Sequence, residues 1–118
     1  TQKIMGDNAI LVNATAVRVP VFYGHAEAIH LETHSPIDAE QVKQLLADAP
    51  GVTLYEGAEQ FPTQVSSASG NDMVHVGRVR NDITHPCGLN LWVVSDNIRK
   101  GAATNSIQIA ETLIRDYM

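Results

Sequence analysis

Leu89-Asn90-Leu91-Trp92-Val93-Val94, followed at once by Ser95-Asp96-Asn97-Ile98, is the stretch on which the fold turns. A short apolar run bounded by turn formers reads as the most buried strand of the chain. The polar triplet after it supplies capping side chains for a last helix, from about Ile98 to Tyr117, whose apolar members are Ala102, Ile109, Ala110, Leu113 and Ile114.

Working outward, Met73, Val74, Val76 and Val79 mark another strand with Arg78 and Arg80 off its core face, joined to the first by Asn81-Asp82 and Pro86-Cys87-Gly88. Val52 to Tyr55 is a short strand, and the polar segment Glu56 to Gly70 reads as an irregular surface crossing. Ser35-Pro36-Ile37-Asp38 starts a helix, with Ser35 accepting from an orphan amide and Pro36 in the first turn. Val42, Leu45, Leu46 and Ala49 form its apolar stripe, and Pro50-Gly51 ends it. Glu27 to Thr33 is extended, with Ile29 and Leu31 on one face and Ala28, His30 and Glu32 on the other. Asn13 to Phe22 is expected to be a further strand, Val17, Val19 and Val21 facing the core and Arg18 the other way, paired with Glu27–Thr33 through a turn at Gly24. Thr1 to Gly6 resembles the tail of a helix closed by Gly6, so that something is expected to precede it. Strands mixed with two unequally placed helices make the fold class α+β, with a mixed, largely antiparallel sheet covered by helices and a C-terminal helix.

Composition narrows the function. A chain of 118 residues, 44% hydrophobic and 18% charged, carries one globular core. A net charge of -5 with scattered cations argues against nucleic acid as a partner. No stretch is apolar enough to span a membrane and no secretory signal is visible, so a soluble cytoplasmic protein is expected. The single Cys87 has no internal disulfide partner and reads as incidental.

Arg18 and His25 stand seven positions apart in Arg18-Val19-Pro20-Val21-Phe22-Tyr23-Gly24-His25. A guanidinium grips a carboxylate through two parallel bonds, and an imidazole exchanges a proton near neutral pH. The plainer alternatives are an ion pair between Arg18 and a glutamate such as Glu27, and a hydrogen-bonded turn histidine. His30, His34, His75 and His85 show no metal-ligand spacing, so no metal site is expected. No GxGxxG or P-loop occurs, and a dinucleotide is not held here in the usual way. Asn97 reads first as a helix cap.

Ala16-Val17-Arg18-Val19-Pro20-Val21 with Gly24-His25, then Val76-Gly77-Arg78-Val79-Arg80, and Leu91-Trp92-Val93-Val94-Ser95-Asp96-Asn97-Ile98-Arg99-Lys100-Gly101-Ala102-Ala103, together resemble the aspartate-semialdehyde dehydrogenase family. The resemblance covers nearly the whole chain and implies that residues 1–118 are the C-terminal part of the catalytic and dimerisation domain. The N-terminal dinucleotide-binding domain is then absent. It implies NADPH-dependent reductive dephosphorylation of L-aspartyl 4-phosphate to the semialdehyde, on the route to lysine, threonine, methionine and diaminopimelate. Arg18 would grip the substrate carboxylate, His25 would carry the proton, and Asn97 would touch the nicotinamide end of NADP. A homo-oligomer, dimer or tetramer, is also implied. The family's nucleophilic cysteine, its Gly-rich loop and its Glu-x-x-Lys motif lie upstream, and Cys87 matches none of them. The expectation is therefore half a site, inactive alone; the alternative is a non-catalytic dimerisation or interaction module.

Overall fold

In the computed structural model, which describes all residues from Thr1 to Met118, the run Leu89–Val94 lies inside the longest-paired strand of a four-stranded sheet. The elements in chain order are α1 (Gln2–Met5), β1 (His25–Glu32), α2 (Ala39–Ala47), β2 (Val52–Tyr55), a π-type turn (Gln64–Ala68), β3 (Val74–Asn81), β4 (Gly88–Ser95), a second π-type turn (Arg99–Ala103) and α3 (Thr104–Tyr117). Sheet order is β1-β4-β3-β2. β4 is antiparallel to both neighbours, and β2 joins β3 in parallel. The α+β class and mixed, largely antiparallel sheet expected from the sequence are therefore present.

The core sits between the sheet and α2. Ala39, Val76, Val79 and Leu89 are buried there, with Leu31, Ile37, Val42, Leu46, Leu54, Leu91 and Val93 packed around them. Leu45, expected in the same stripe, is 67% exposed. The helix starts later than Ser35: Asp38 is the cap, accepting from the Glu40 amide, and Gln41 reaches back to the Asp38 amide. A carboxylate at that position also meets the positive helix end. Asn81 on β3 ties the cap to the sheet, accepting from the Ala39 amide at 2.8 Å and donating to Asp38 at 2.9 Å.

The opposite sheet face carries the segment expected to be irregular. It contains the first π-type turn, capped by Thr63, whose hydroxyl accepts from the Ser66 amide. Trp92 on β4 donates its indole N–H to the Pro62 carbonyl at 2.9 Å, and Pro62 and Ala68 are fully enclosed. Gly77 permits this close approach, because a Cβ there would lie 2.9 Å from Pro62 Cδ. Between Gly77 and Arg80 the β3 ladder slips, and Arg78 adopts φ 57° at this bulge.

The expected strand from Asn13 to Phe22 does not form. β1 pairs only with β4, and residues 11–20 are exposed, with Leu11 at 93% and Val17 at 78%. Alternation of apolar residues makes a strand only where a ladder partner is offered, and Pro20 removes one donor from the run. The helix end expected at Gly6 is present: α1 closes there with φ 67°. α3 packs mainly on the turn that leads into it and buries no side chain. A radius of gyration of 15.4 Å, against about 13.5 Å for a compact chain of this length, reflects these two protruding ends.

Candidate functional site

The site is built where β1 begins and β4 ends, because antiparallel pairing places His25 opposite Ser95. Gly24, one residue earlier, turns the chain into β1 with φ 93°, a conformation open to glycine and strained for other residues. Asn97, two residues beyond the end of β4, then meets that turn. The Gly24 amide donates to Asn97 Oδ1 at 2.8 Å across 73 positions of sequence. Since a backbone N–H is the donor, the side-chain atom facing it is the oxygen, and the amide NH2 is left over for other partners.

The capping role expected of Asn97 belongs to Asp96. Its carboxylate, 4% exposed, accepts from the amides of Ile98, Arg99 and Gly70. Those bonds to Arg99 and Gly70 hold the carboxyl below its ordinary range. Asp96 thereby closes the start of the Arg99–Ala103 turn that leads into α3 and pins the end of the first π-type segment to it. This burial has no counterpart in sequence, where three neighbouring polar residues look equally able to cap.

His25 is exposed, and its Nε2 lies 2.9 Å from Glu27 Oε1, two residues along the same strand face. With Nε2 donating to that carboxylate, Nδ1 is the nitrogen that accepts a proton. Glu27 therefore orients the imidazole; the ion pair considered for it with Arg18 does not form. Arg18 lies on the exposed segment before β1 and makes no ion pair with any carboxylate. The structure thus brings Gly24, His25 and Asn97 together through Asn97, and leaves the Arg18 guanidinium open.

Below the helix start, Arg99 grips Asp72 through two bonds, 2.8 Å from Nε and 2.7 Å from Nη2, and Thr104 donates to the same carboxylate at 2.9 Å. Arg99 and then Thr104 lower the Asp72 carboxyl to about 2. Asp72 and Gln64, which packs against Gly24, are the supporting residues that sequence reasoning missed, while Glu27 was considered only as a partner for Arg18 and Asp96 only as one of three caps. No group of three or more His, Cys, Asp or Glu is arranged to hold a metal.

Comparison with known proteins covers the whole of this region. The profile described as "Semialdehyde dehydrogenase, dimerisation domain" matches residues 1–100. Aspartate-semialdehyde dehydrogenase of Shewanella violacea is 68% identical over 117 residues, which is 99% of this chain and 35% of that protein. Aspartate-semialdehyde dehydrogenase 2 of Vibrio cholerae is 66% identical over 117 residues, 99% of this chain and 34% of the relative. The crystal structure of aspartate semialdehyde dehydrogenase II of Vibrio cholerae, complexed with ASA, superposes with a TM-score of 0.94 at 65% identity, over 99% of this chain and 34% of that one. The chain spans about a third of the length of these relatives.

Proposed function

Because the chain belongs to the semialdehyde dehydrogenase family, by its dimerisation domain, we propose that it supplies the substrate-anchoring and proton-carrying half of an aspartate-semialdehyde dehydrogenase. The observation that carries this reading is the Gly24–His25 turn held by Asn97, with His25 oriented by Glu27 and a guanidinium free of carboxylates seven residues upstream. In a dehydrogenase that converts L-aspartyl 4-phosphate to the semialdehyde, Arg18 anchors the substrate carboxylate through its fork of N–H donors. His25 accepts and returns the proton at the reacting thiol and oxygen through Nδ1. The nucleophilic cysteine and the dinucleotide-binding domain belong to the two thirds of such an enzyme outside these residues.

The residues present fit one end of a nicotinamide cofactor. Asn97 offers an uncommitted amide donor at the surface, while no glycine-rich loop is present to cradle the phosphates. The reduced cofactor, NADPH, would supply the hydride when bound; this chain's part is to orient its nicotinamide end. Reductive dephosphorylation of this kind serves lysine, threonine, methionine and diaminopimelate synthesis, in the cytoplasm. No helix is long and apolar enough to cross a membrane. Ile107, Ile109, Leu113 and Ile114 on α3 are each more than half exposed, which supports a homo-oligomeric or inter-domain setting.

Steady-state kinetics of the full-length enzyme test the reading. His25→Ala lowers kcat at least about 100-fold, the range of general acid–base catalysis. Arg18→Ala acts mainly on kcat/KM through lost anchoring. The 118-residue chain alone shows no turnover. Near-normal kinetics of both variants sink the assignment, as does turnover by the isolated chain.

A further inference from the structure

We propose that Asn97 is a positioning residue for His25: its side-chain oxygen fixes the turn that carries the base, and its amide NH2 faces the ligand, so that ligand contact and base placement share one side chain. The inference rests on the reading of His25 as proton carrier, and extends it to a coupling between the two halves of the site.

Three observations carry it. The Gly24 amide donates to Asn97 Oδ1 at 2.8 Å, a bond spanning 73 positions of sequence and closed only by the β1–β4 pairing. Gly24 is also gripped from its other side. A Cβ there would stand 2.7 Å from Gln64 Cβ and 3.0 Å from its Cγ, so the first residue of the π-type turn is wedged against it. The turn is therefore clamped between the end of β4 and the Trp92-anchored segment. His25 is the next residue, and its backbone is set by its register opposite Ser95.

An amide side chain has one oxygen and one NH2 group, and these have opposite hydrogen-bond character. With the oxygen on Gly24, Asn97 presents only donors outward. Its ligand partner is an acceptor oxygen, such as a carbonyl or carboxylate. A ligand drawing on the NH2 also polarises the amide and strengthens the bond its oxygen accepts. The base is thus held most firmly when the ligand is in place.

The test separates the two ends of the amide in the full-length enzyme. Asn97→Asp keeps an acceptor for Gly24 and loses the donors; Asn97→Ala loses both. Hydrogen exchange read at single amides shows Gly24 protected in the parent and in Asn97→Asp, and exposed in Asn97→Ala. Kinetically, Asn97→Asp raises the KM for the cofactor and lowers kcat by less than Asn97→Ala does, the only change in the histidine limb of its pH profile being the upward shift that a new carboxylate brings. Asn97→Ala in addition lowers kcat about 10- to 100-fold and moves that limb, the loss that a misplacement of about 1 Å brings. Gly24→Ala, which acts on the same turn through the Gln64 contact, moves the limb without raising the cofactor KM. An unprotected Gly24 amide in the parent overturns the proposal, and so do equal kcat losses in Asn97→Asp and Asn97→Ala. Failure of the underlying reading looks different: His25→Ala then leaves kcat intact while Gly24 stays protected.

Discussion

Truncating Leu89 to alanine tests whether the core between sheet and α2 is as closed as its geometry indicates. Leu89 is 1% exposed and sits among Ala39, Val76 and Val79, which are 5%, 3% and 8% exposed. The substitution removes three carbons, worth about 2.4 kcal/mol at about 0.8 kcal/mol each. Val76 and Val79 are held on β3 by ladders to both neighbouring strands or their bulge, and Ala39 by its bond to Asn81, so none can swing in to fill the space. A cavity penalty is added, bringing the loss to about 3–4 kcal/mol, inside the range of about 2–5 for such truncations. Small domains have about 5–15 kcal/mol in total, and with 11 of 118 residues buried this chain belongs at the low end. Urea unfolding followed by circular dichroism reads the result, since a slope of about 1–3 kcal/mol per molar converts that loss to a midpoint drop of at least about 1 M. Leu45→Ala, on the same helix but 67% exposed, is the control and shifts stability by less than about 0.5 kcal/mol. A loss below about 1 kcal/mol for Leu89→Ala refutes the closed core.

Three other perturbations follow from single interactions. Asp38→Ala removes the α2 cap and half of its reciprocal bond with Gln41, costing about 1 kcal/mol in the same urea assay; an unchanged midpoint would count against that cap. Asp72, lowered to about 2 by Arg99 and Thr104, contributes stability that is complete above its unfolded value near 4 and is lost as pH falls toward 2. Asp72→Asn should therefore loosen the Arg99–Thr104 helix start at pH 7, seen as faster amide exchange there, and remove that acid limb; exchange equal to the parent's would contradict it. His75 is 3% exposed with its Nε2 unpartnered, and burial lowers its pKa. The unfolded chain then takes up a proton first, so stability declines as pH drops below about 6.5. His30 has the opposite sign: Glu32 foremost raises it, and its contribution is lost as pH rises through the folded value. Comparing parent and His75→Phe between pH 7.5 and 5 isolates the buried ring; equal slopes would refute its role.

The legible parts of the fold were those whose cause is local. Val74–Asn81 and Gly88–Ser95 announce themselves by dense β-branched and apolar content, whereas the last helix, expected from about Ile98, begins as α3 only at Thr104, after the π-type turn Arg99–Ala103. The start of α2 was displaced because Ser35 and Asp38 are both acceptable caps in isolation. Asn81, 43 positions away and bonded to Asp38, selects between them. Asn13–Phe22 failed as a strand for the converse reason: its alternation is real, but no neighbouring strand offers it a ladder.

At the candidate site the division is equally physical. Residue chemistry along the chain was enough to single out Arg18 and His25, and the family resemblance carried by their neighbours added Asn97. Their relations were not readable. That Asp96 and not Asn97 holds the start of the Arg99–Ala103 turn leaves Asn97 free, and that Asn97 then holds Gly24 depends on which ends of β1 and β4 lie side by side. Type and local propensity are properties of a residue and its neighbours, so the sequence alone determined the sheet strands from Val52 onward, the presence of α2 and the candidates. Hydrogen bonds across 73 positions exist only once the sheet's register is set, and so the division of labour among those candidates was decided by the tertiary structure.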